Sequence, residues 1–227
     1  MNIFRFLGDM THLISILILL LKIYATKSCS GISMKTQELY ALVFLARYLD
    51  LFTNFVSVYN LIMKLVFIAS SLAIVWCMRR HPLVRRSYDK DLDTCRHYFL
   101  IGGSFVLALL WHEKFTIEEV TTGCYFVNLM SLLIRCDFGM IIVAIFPQLV
   151  MLQRSGNVDN LTGQYVLFLG AYRGLYILNW IYRYVTEKHF GRWIAVISGV
   201  VQTALYADFF YYYFLSWKNN GKLQLPA

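Results

Sequence analysis

Charged side chains are scarce in this chain, which excludes an ordinary soluble domain. Asp, Glu, Lys and Arg make up only 15% of the 227 residues, against about 25% in soluble domains. Hydrophobic residues reach 59%, and the mean hydropathy is +0.56. So little charge cannot cover a soluble surface, and so much apolar surface excludes a disordered chain. The composition predicts an all-α membrane protein that crosses the bilayer several times.

Proline and paired cysteines are also scarce. Three prolines exclude proline-rich or collagen-like segments. Five cysteines are odd in number and show no CxxC spacing, so they predict neither a disulfide framework nor a zinc site. The sequence contains no HExxH motif, no phosphate loop and no paired nucleophile and base. It therefore predicts no catalytic residue, no metal site and no cofactor.

Seven apolar stretches are candidates to cross a membrane, which takes about 20 residues of helix. A signal peptide is the alternative for the first stretch, but Asp9 lies where the start of a signal is basic. The fifth stretch is unusually long and contains Arg135 and Asp137. The stretches are Ile3–Ala25, Gln37–Phe55, Val56–Met78, His97–Trp111, Val120–Leu152, Thr162–Tyr182 and Trp193–Phe214.

The basic residues predict the orientation of these spans. Eleven Lys and Arg lie in alternate loops and the C-terminal tail, and four lie on the other side. Cytoplasmic loops carry the excess of positive charge, so we expect a lumenal N-terminus and a cytosolic C-terminus. The same bias explains the net charge of +8 without a nucleic-acid partner. The basic run Arg79–Arg86 is interpreted as an anchor of this topology.

Polar side chains within three of the spans each follow one side of a helix. Because lipid excludes such sides, we expect them to face one another around a polar cavity. A buried structural ion pair, or arginines that reach the membrane surface, is the alternative for any single residue. The three sets are Arg5, Asp9 and His12; Arg47, Asp50 and Asn54; and Tyr172, Arg173, Tyr176, Asn179, Trp180 and Arg183.

Arginines outnumber carboxylates on these faces, which predicts an anionic ligand with several carboxylates. His12 lies beside these charges, and imidazole titrates near pH 6.5, so His12 is a candidate pH sensor. A weak internal repeat relates Tyr40–Leu49 to Tyr165–Leu175. It favours two three-helix bundles joined by a fourth span, as in SWEET transporters.

Longer motifs closely resemble the KDEL/HDEL receptor family, the ER lumen protein-retaining receptors. The resemblance covers roughly residues 1–119 and 143–227 and includes a plant-like tail. It is carried by Met1–Asp9, Leu20–Ile23, Ala46–Asn54, Tyr172-Arg173, Leu175-Tyr176, Asn179–Ile181, Arg183-Tyr184, Val201–Thr203 and Asp208–Tyr211.

The resemblance implies a SWEET-like (PQ-loop) fold of seven transmembrane helices. Residues 1–78 would form the first three-helix bundle, 97–111 the linking helix, 120–214 the second bundle and 215–227 the cytosolic tail. It also implies a receptor of ER and Golgi membranes. Such a receptor binds the C-terminal K/H-D-E-L of escaped ER proteins in the acidic Golgi, returns them in COPI vesicles and releases them at neutral pH.

The resemblance also assigns roles to single residues. Arg47 would meet the terminal carboxylate of the ligand, Arg5 its Glu and Arg183 its Asp. His12 would sense protons, and Asp208 would act in return to the ER. Lys218 and Lys222 are candidates for coat recognition. The expected ligand-binding set is Arg5, Arg47, Asp50, Glu119, Tyr172, Arg173, Tyr176, Asn179, Trp180 and Arg183.

The fifth span departs from the family pattern. Glu119 matches the first family glutamate, but Thr122 and Ile141 stand where a tryptophan and a second glutamate are expected. The segment near 123–140 is also longer than in the family. This departure predicts weakened binding of the ligand. A small-solute transporter on the same fold is the alternative function, and an intramembrane enzyme is a more distant one.

Overall fold

The computed structural model describes residues 2–48, 57–95, 98–99, 101–103, 144–186, 193–219, 221 and 223–225. Helices dominate these residues. The helices are α1 (Ile3–Thr26), α2 (Met34–Arg47), α3 (Val58–Arg80), α4 (Pro82–Arg86), α5 (Phe146–Ser155), α6 (Asn160–Thr186), α7 (Trp193–Leu205) and α8 (Ala207–Lys218).

The first three helices each begin after an N-cap residue with a short polar side chain that accepts a hydrogen bond. The side chain of Asn2 accepts the amide of Arg5 at the start of α1. Ser33 and Ser57 do the same at the starts of α2 and α3. Each cap satisfies an amide that has no partner within its helix. By length and composition, α1 and α3 can each cross a membrane, and the prediction of an apolar helical protein is confirmed at this level.

Other predicted spans are only partly covered by the described residues. Most of the fourth and fifth spans, residues 104–143, lies outside them. The residues of the predicted sixth span, Thr162–Tyr182, lie within the single long helix α6. The seventh is divided at Tyr206, whose amide donates to the carbonyl of Thr203 in one tighter turn between α7 and α8.

Helix α1 packs along α6 in an antiparallel arrangement. At one end the Nδ2 of Asn2 donates to the Oδ1 of Asn179 at 2.7 Å. At the other end the Nζ of Lys22 contacts the Oγ1 of Thr162. Leu19, Ile23, Val166 and Leu169 lie within the buried core, which extends to α2, α3 and α8. The contact between α1 and α6 thus brings one polar face of each helix together.

The C-terminal residues form a short strand that is docked on the protein. Strand β2 (Leu223–Gln224) pairs antiparallel with β1 (Asn157–Val158), immediately before α6. Leu223 and Leu225 are buried, and the amide of Leu225 donates to the carbonyl of Gly156 at 3.3 Å. The burial of the two leucines explains why this part of the expected tail packs against the helices.

A glycine permits the close contact between α6 and α8. A Cβ at Gly170 would lie 2.5 Å from Cζ of Phe210 and 2.9 Å from Cδ1 of Tyr206. Tyr206 is completely buried, so its ring has little room to move. Gly174, one turn further along α6, has no described heavy atom within 4 Å of its Cβ position.

We therefore expect Gly170→Ala to destabilise the protein by about 1–3 kcal/mol, as overpacking of a core does. The matched substitution Gly174→Ala should be neutral or stabilising by about 0.5–1 kcal/mol, because alanine favours helix. The free energy of unfolding in mixed detergent micelles measures both. Equal effects of the two substitutions would show that α6 and α8 are not in close contact.

Candidate functional site

One end of the helix assembly holds a polar cluster, which we call the Asp9 site. The antiparallel packing of α1 and α6 puts the N-terminal half of α1 beside the C-terminal half of α6, and α3 begins at the same end. The site comprises Asn2, Arg5, Asp9, His12, Tyr59, Asn60, Tyr172, Arg173, Tyr176 and Asn179.

The buried carboxylate of Asp9 joins three helices at this site. The hydroxyl of Tyr59 in α3 donates to its Oδ2 at 3.0 Å. The hydroxyl of Tyr176 in α6 donates to its Oδ1. Asp9 is only 6% exposed, so both oxygens depend on these donors for the hydrogen bonds that water would otherwise supply. The two tyrosines therefore satisfy both oxygens of this buried carboxylate.

The glycine that precedes Asp9 makes room for Tyr176. A Cβ at Gly8 would lie 2.9 Å from Cδ2 of the Tyr176 ring. A side chain there would push the ring away and with it the hydroxyl that reaches Asp9. Gly8 is thus a positioning element of the site, although it carries no polar side chain.

His12 is buried within an aromatic enclosure. Its ring stacks on Tyr172 with centroids 4.3 Å apart and an interplanar angle of 24°. Phe67 of α3 and Phe44 of α2 flank it at 4.7 and 5.7 Å. The guanidinium carbon of Arg173 lies 4.6 Å from the centroid of the same Tyr172 ring. Protonation of His12 would therefore add a second cation to this ring's surroundings.

The arginines of the site lack carboxylate partners among the described residues. The Nη2 of Arg5 donates to the neutral Oδ1 of Asn60 at 2.7 Å, and Arg5 forms no ion pair with a described side chain. Arg173 is only 9% exposed, it also forms no such pair, and its Nε has no hydrogen-bond partner in the described part of the chain. Two guanidinium groups, those of Arg5 and Arg173, against the one carboxylate of Asp9 give the described part of the site an excess of positive charge.

At the opposite end of the assembly, the buried cation is paired within the chain. The Nζ of buried Lys22 donates to the carbonyl of Ser30 at 2.7 Å and to Oδ2 of Asp159 at 3.1 Å. Asp93 accepts from Ser33 at 2.8 Å and from Tyr88 at 2.6 Å. These bonds tie α1, α6 and the following loops together.

A buried thiol also lies at this end. Cys29 donates to the carbonyl of Val84 at 3.1 Å, and burial raises the pKa of this thiol. Cys29 therefore stays protonated near neutral pH and has little reactivity.

The structure brings most of the sequence-predicted residues of α1 and α6 together. Trp180 extends the aromatic face at 6.1 Å from Tyr176, and Arg183 is half-buried further along α6. Arg47 ends α2, and its side chain lies outside the described part. Asp50, Glu119 and Lys222 also lie outside it. Asp208 and Lys218 are exposed in the first and last turns of α8.

Three residues of the site were not predicted from the sequence. Tyr59 and Asn60 lie in the first turn of α3, and Asn2 precedes α1. The only signal in the sequence is a polar side chain at the start of an apolar helix, which the sequence analysis did not use. Asn60 is nevertheless the partner of Arg5, and Tyr59 is a partner of Asp9.

Comparisons with known proteins identify the family of this chain. Residues 28–183 match the family described as ER lumen protein retaining receptor. The chain is 73% identical to ER lumen protein-retaining receptor A of Arabidopsis thaliana. It is 63% identical to the ER lumen protein-retaining receptor of Petunia hybrida and 46% identical to that of Drosophila melanogaster. All three comparisons cover 100% of both chains.

The protein belongs to the ER lumen protein-retaining receptor family. The resemblance noted in the sequence is therefore confirmed. The family is named for retention by a receptor and not for catalysis.

The Asp9 hydrogen bonds generate a test of stability. We expect Tyr59→Phe and Tyr176→Phe each to lower the free energy of unfolding by about 1.5–3 kcal/mol, the contribution of a hydrogen bond to a charged group. Tyr24→Phe is the matched control, because Tyr24 lies on α1 and is 84% exposed. Thermal unfolding of the detergent-solubilised protein measures all three. If Tyr59→Phe and Tyr176→Phe lower the free energy of unfolding no more than Tyr24→Phe does, Asp9 does not hold the three helices together.

Proposed function

We propose that this protein is a retrieval receptor that binds the C-terminal K/H-D-E-L of escaped ER proteins. It captures them in the acidic Golgi, returns in COPI vesicles and releases them at neutral pH in the ER. Seven transmembrane helices form two three-helix bundles with a linking helix, with a lumenal N-terminus and a cytosolic C-terminus. Lys218 and Lys222 bind the coat, and Asp208 acts in the return step.

The observation that carries this proposal is the excess of positive charge at the Asp9 site. A buried guanidinium without a carboxylate partner is costly at membrane depth. Arg173 lies in this state on α6, and Arg5 on the facing side of α1 is half-buried and also has no carboxylate partner among the described residues. A ligand that brings its own carboxylates removes the cost. The D-E-L tail supplies two side-chain carboxylates and one terminal carboxylate.

The resemblance to the receptor family supports the individual roles in this proposal. Arg5 binds the Glu of the tail, Arg183 its Asp and Arg47 the terminal carboxylate, and Asp50 belongs to the same ligand-binding set. Glu119 binds the cationic first residue of the tail. The remaining contacts come from the α6 face of Tyr172, Arg173, Tyr176, Asn179 and Trp180.

Two alternatives differ from this proposal in what they predict. The three relatives are named as retaining receptors, which does not favour a small-solute transporter. The second alternative is a receptor that binds the tail weakly, because Thr122 and Ile141 replace a tryptophan and a glutamate expected in the fifth span. The affinity of the unaltered chain for a tail peptide separates this alternative from a fully competent receptor.

A double-mutant cycle tests the pairing of Arg5 with the ligand. Arg5→Ala should weaken binding of a peptide that ends in K-D-E-L by about thirtyfold or more, because an unpaired buried charge costs roughly 2–5 kcal/mol. In the unaltered receptor, replacing the Glu of the peptide by Gln should cost a similar factor. In Arg5→Ala the same replacement should cost little.

Arg154→Ala is the control for charge, because Arg154 is exposed at the other end of the assembly. Calorimetry in detergent measures each affinity. Independent effects of the two changes would place the ligand Glu elsewhere. Solute uptake by proteoliposomes, with no binding of the peptide, would show that the protein functions as a transporter and not as a receptor.

A second prediction concerns pH. His12 and Arg173 contact the same Tyr172 ring, and Asp9 lies one turn from His12. Protonated His12 is unfavourable beside Arg173 until an anion arrives, so ligand and proton should bind cooperatively. Affinity for the tail should fall as pH rises through the titration of His12. His12→Ala should flatten this profile, whereas the exposed control His81→Ala should retain it. A full acid preference in His12→Ala would assign the sensor to another group.

A further inference from the structure

Two adjoining cavities lie at the C-terminal end of α3, far from the Asp9 site. The first is an open groove of about 620 Å³ along the helix, lined by Ala69, Leu72, Ala73 and Trp76 among others. The second is a cleft of about 360 Å³ that also involves Arg85 and Lys90. Arg79 and Arg80 line both. A single molecule can therefore extend from the apolar groove into the basic cleft.

The charges of the cleft are largely uncompensated. Arg79 is paired with Glu38, since its Nε and Nη2 both donate to Oε1 at 2.9 and 2.7 Å. Arg80, Arg85 and Lys90 form no ion pair with any residue that the structure describes. Of the four basic residues that line the cleft, only Arg79 thus has a carboxylate partner among the described residues.

Neighbouring acidic groups form no ion pair with Arg80, Arg85 or Lys90. Asp93 pairs with Lys35 and accepts from Ser33 and Tyr88, and Asp89 accepts from Ser30 at 2.8 Å. Burial and the hydrogen bond to Asp93 raise the pKa of the Tyr88 hydroxyl far above its usual range. Tyr88 therefore lines the cleft as a neutral group, and the three basic residues are available to an anion from outside.

The groove next to the cleft is suited to an acyl chain. Ala69 and Ala73 are one turn apart on an exposed side of α3, where their small side chains leave a furrow. Trp76 is 62% exposed at the end of this furrow, as is typical of tryptophan at the boundary of a bilayer. A soluble anion would use the basic cleft alone. A continuous apolar groove is explained by a ligand with a hydrocarbon chain.

We propose that the C-terminal end of α3 binds a phospholipid with an anionic headgroup, whose acyl chain lies in the α3 groove and whose phosphate lies among Arg80, Arg85 and Lys90. This site is independent of tail binding at the opposite end. The run Arg79–Arg86 then both biases orientation and recognises lipid. The proposed topology puts it at the cytosolic leaflet, which is the more anionic one.

Quenching of Trp76 by brominated lipid tests the proposal. The full chain is reconstituted in phosphatidylcholine vesicles that contain increasing fractions of dibrominated phosphatidic acid. We expect saturable quenching of tryptophan fluorescence beyond that caused by the same fraction of dibrominated phosphatidylcholine. Trp76→Phe should remove this excess. Equal quenching by the two lipids would overturn the proposal.

The charge requirement is tested by a double substitution with a matched control. Arg80→Gln with Arg85→Gln should raise the half-saturating fraction of phosphatidic acid about thirtyfold, which corresponds to about 1 kcal/mol for each basic residue. Lys27→Gln with Arg154→Gln removes the same charge from exposed positions at the same end and should have little effect. Equal shifts of the half-saturating fraction in the two double variants would contradict a specific site. They would show that the basic surface attracts anionic lipid in general.

The requirement for the groove is tested separately from that for charge. Ala73→Trp fills an exposed furrow without entering the core, and it should weaken binding of dioleoyl phosphatidic acid at least tenfold in detergent micelles. Glycerol 3-phosphate, the same headgroup without acyl chains, should not compete at millimolar concentration. Effective competition by glycerol 3-phosphate, or unchanged affinity in Ala73→Trp, would reject a lipid in favour of a soluble anion.

Discussion

The carboxylate of Asp9 is the interaction on which the arrangement of the site depends. It lies on α1, and its two hydroxyl partners come from α3 and α6. In lipid, an ionised carboxylate without donors would force a helix to tilt or to withdraw. With both tyrosines in place, the polar faces of α1 and α6 are held toward each other, and Gly8 lets the helices approach closely enough for this contact.

The two ends of the helix assembly balance charge in different ways. Lys22 has Asp159 and Lys35 has Asp93 at one end, so this end satisfies its buried cations within the chain. Arg5 and Arg173 at the other end have neutral neighbours among the described residues. Pairing within the chain thus holds Lys22 in place, whereas the arginines of the Asp9 site are available to an anionic ligand.

Helical faces were predictable from the sequence because their spacing follows from helix geometry. The period of the helix aligned Arg5, Asp9 and His12, and it aligned Arg173, Tyr176 and Trp180. Partners between helices were not predictable in the same way. Nothing in the spacing of Tyr59 or Asn60 indicates that they contact Asp9 and Arg5. These contacts arise because α1 and α3 pack parallel to each other, with both helices beginning at the same end. Docking of Leu223 and Leu225 beside β1 was missed for the same reason, since a two-residue strand is too short to show a period.

The antiparallel packing of α1 and α6 has a consequence for the synthesis of the protein on the ribosome. Lys22 and Thr162 meet across 140 residues of sequence. A ribosome that adds about 5–20 residues per second needs roughly 7–30 s to bridge that interval. Throughout it, the nascent α1 carries a carboxylate, an imidazole and two cations with no partner from α6. Membrane chaperones that shield such a helix would therefore determine how much of the chain matures, quite apart from how stable it is once complete.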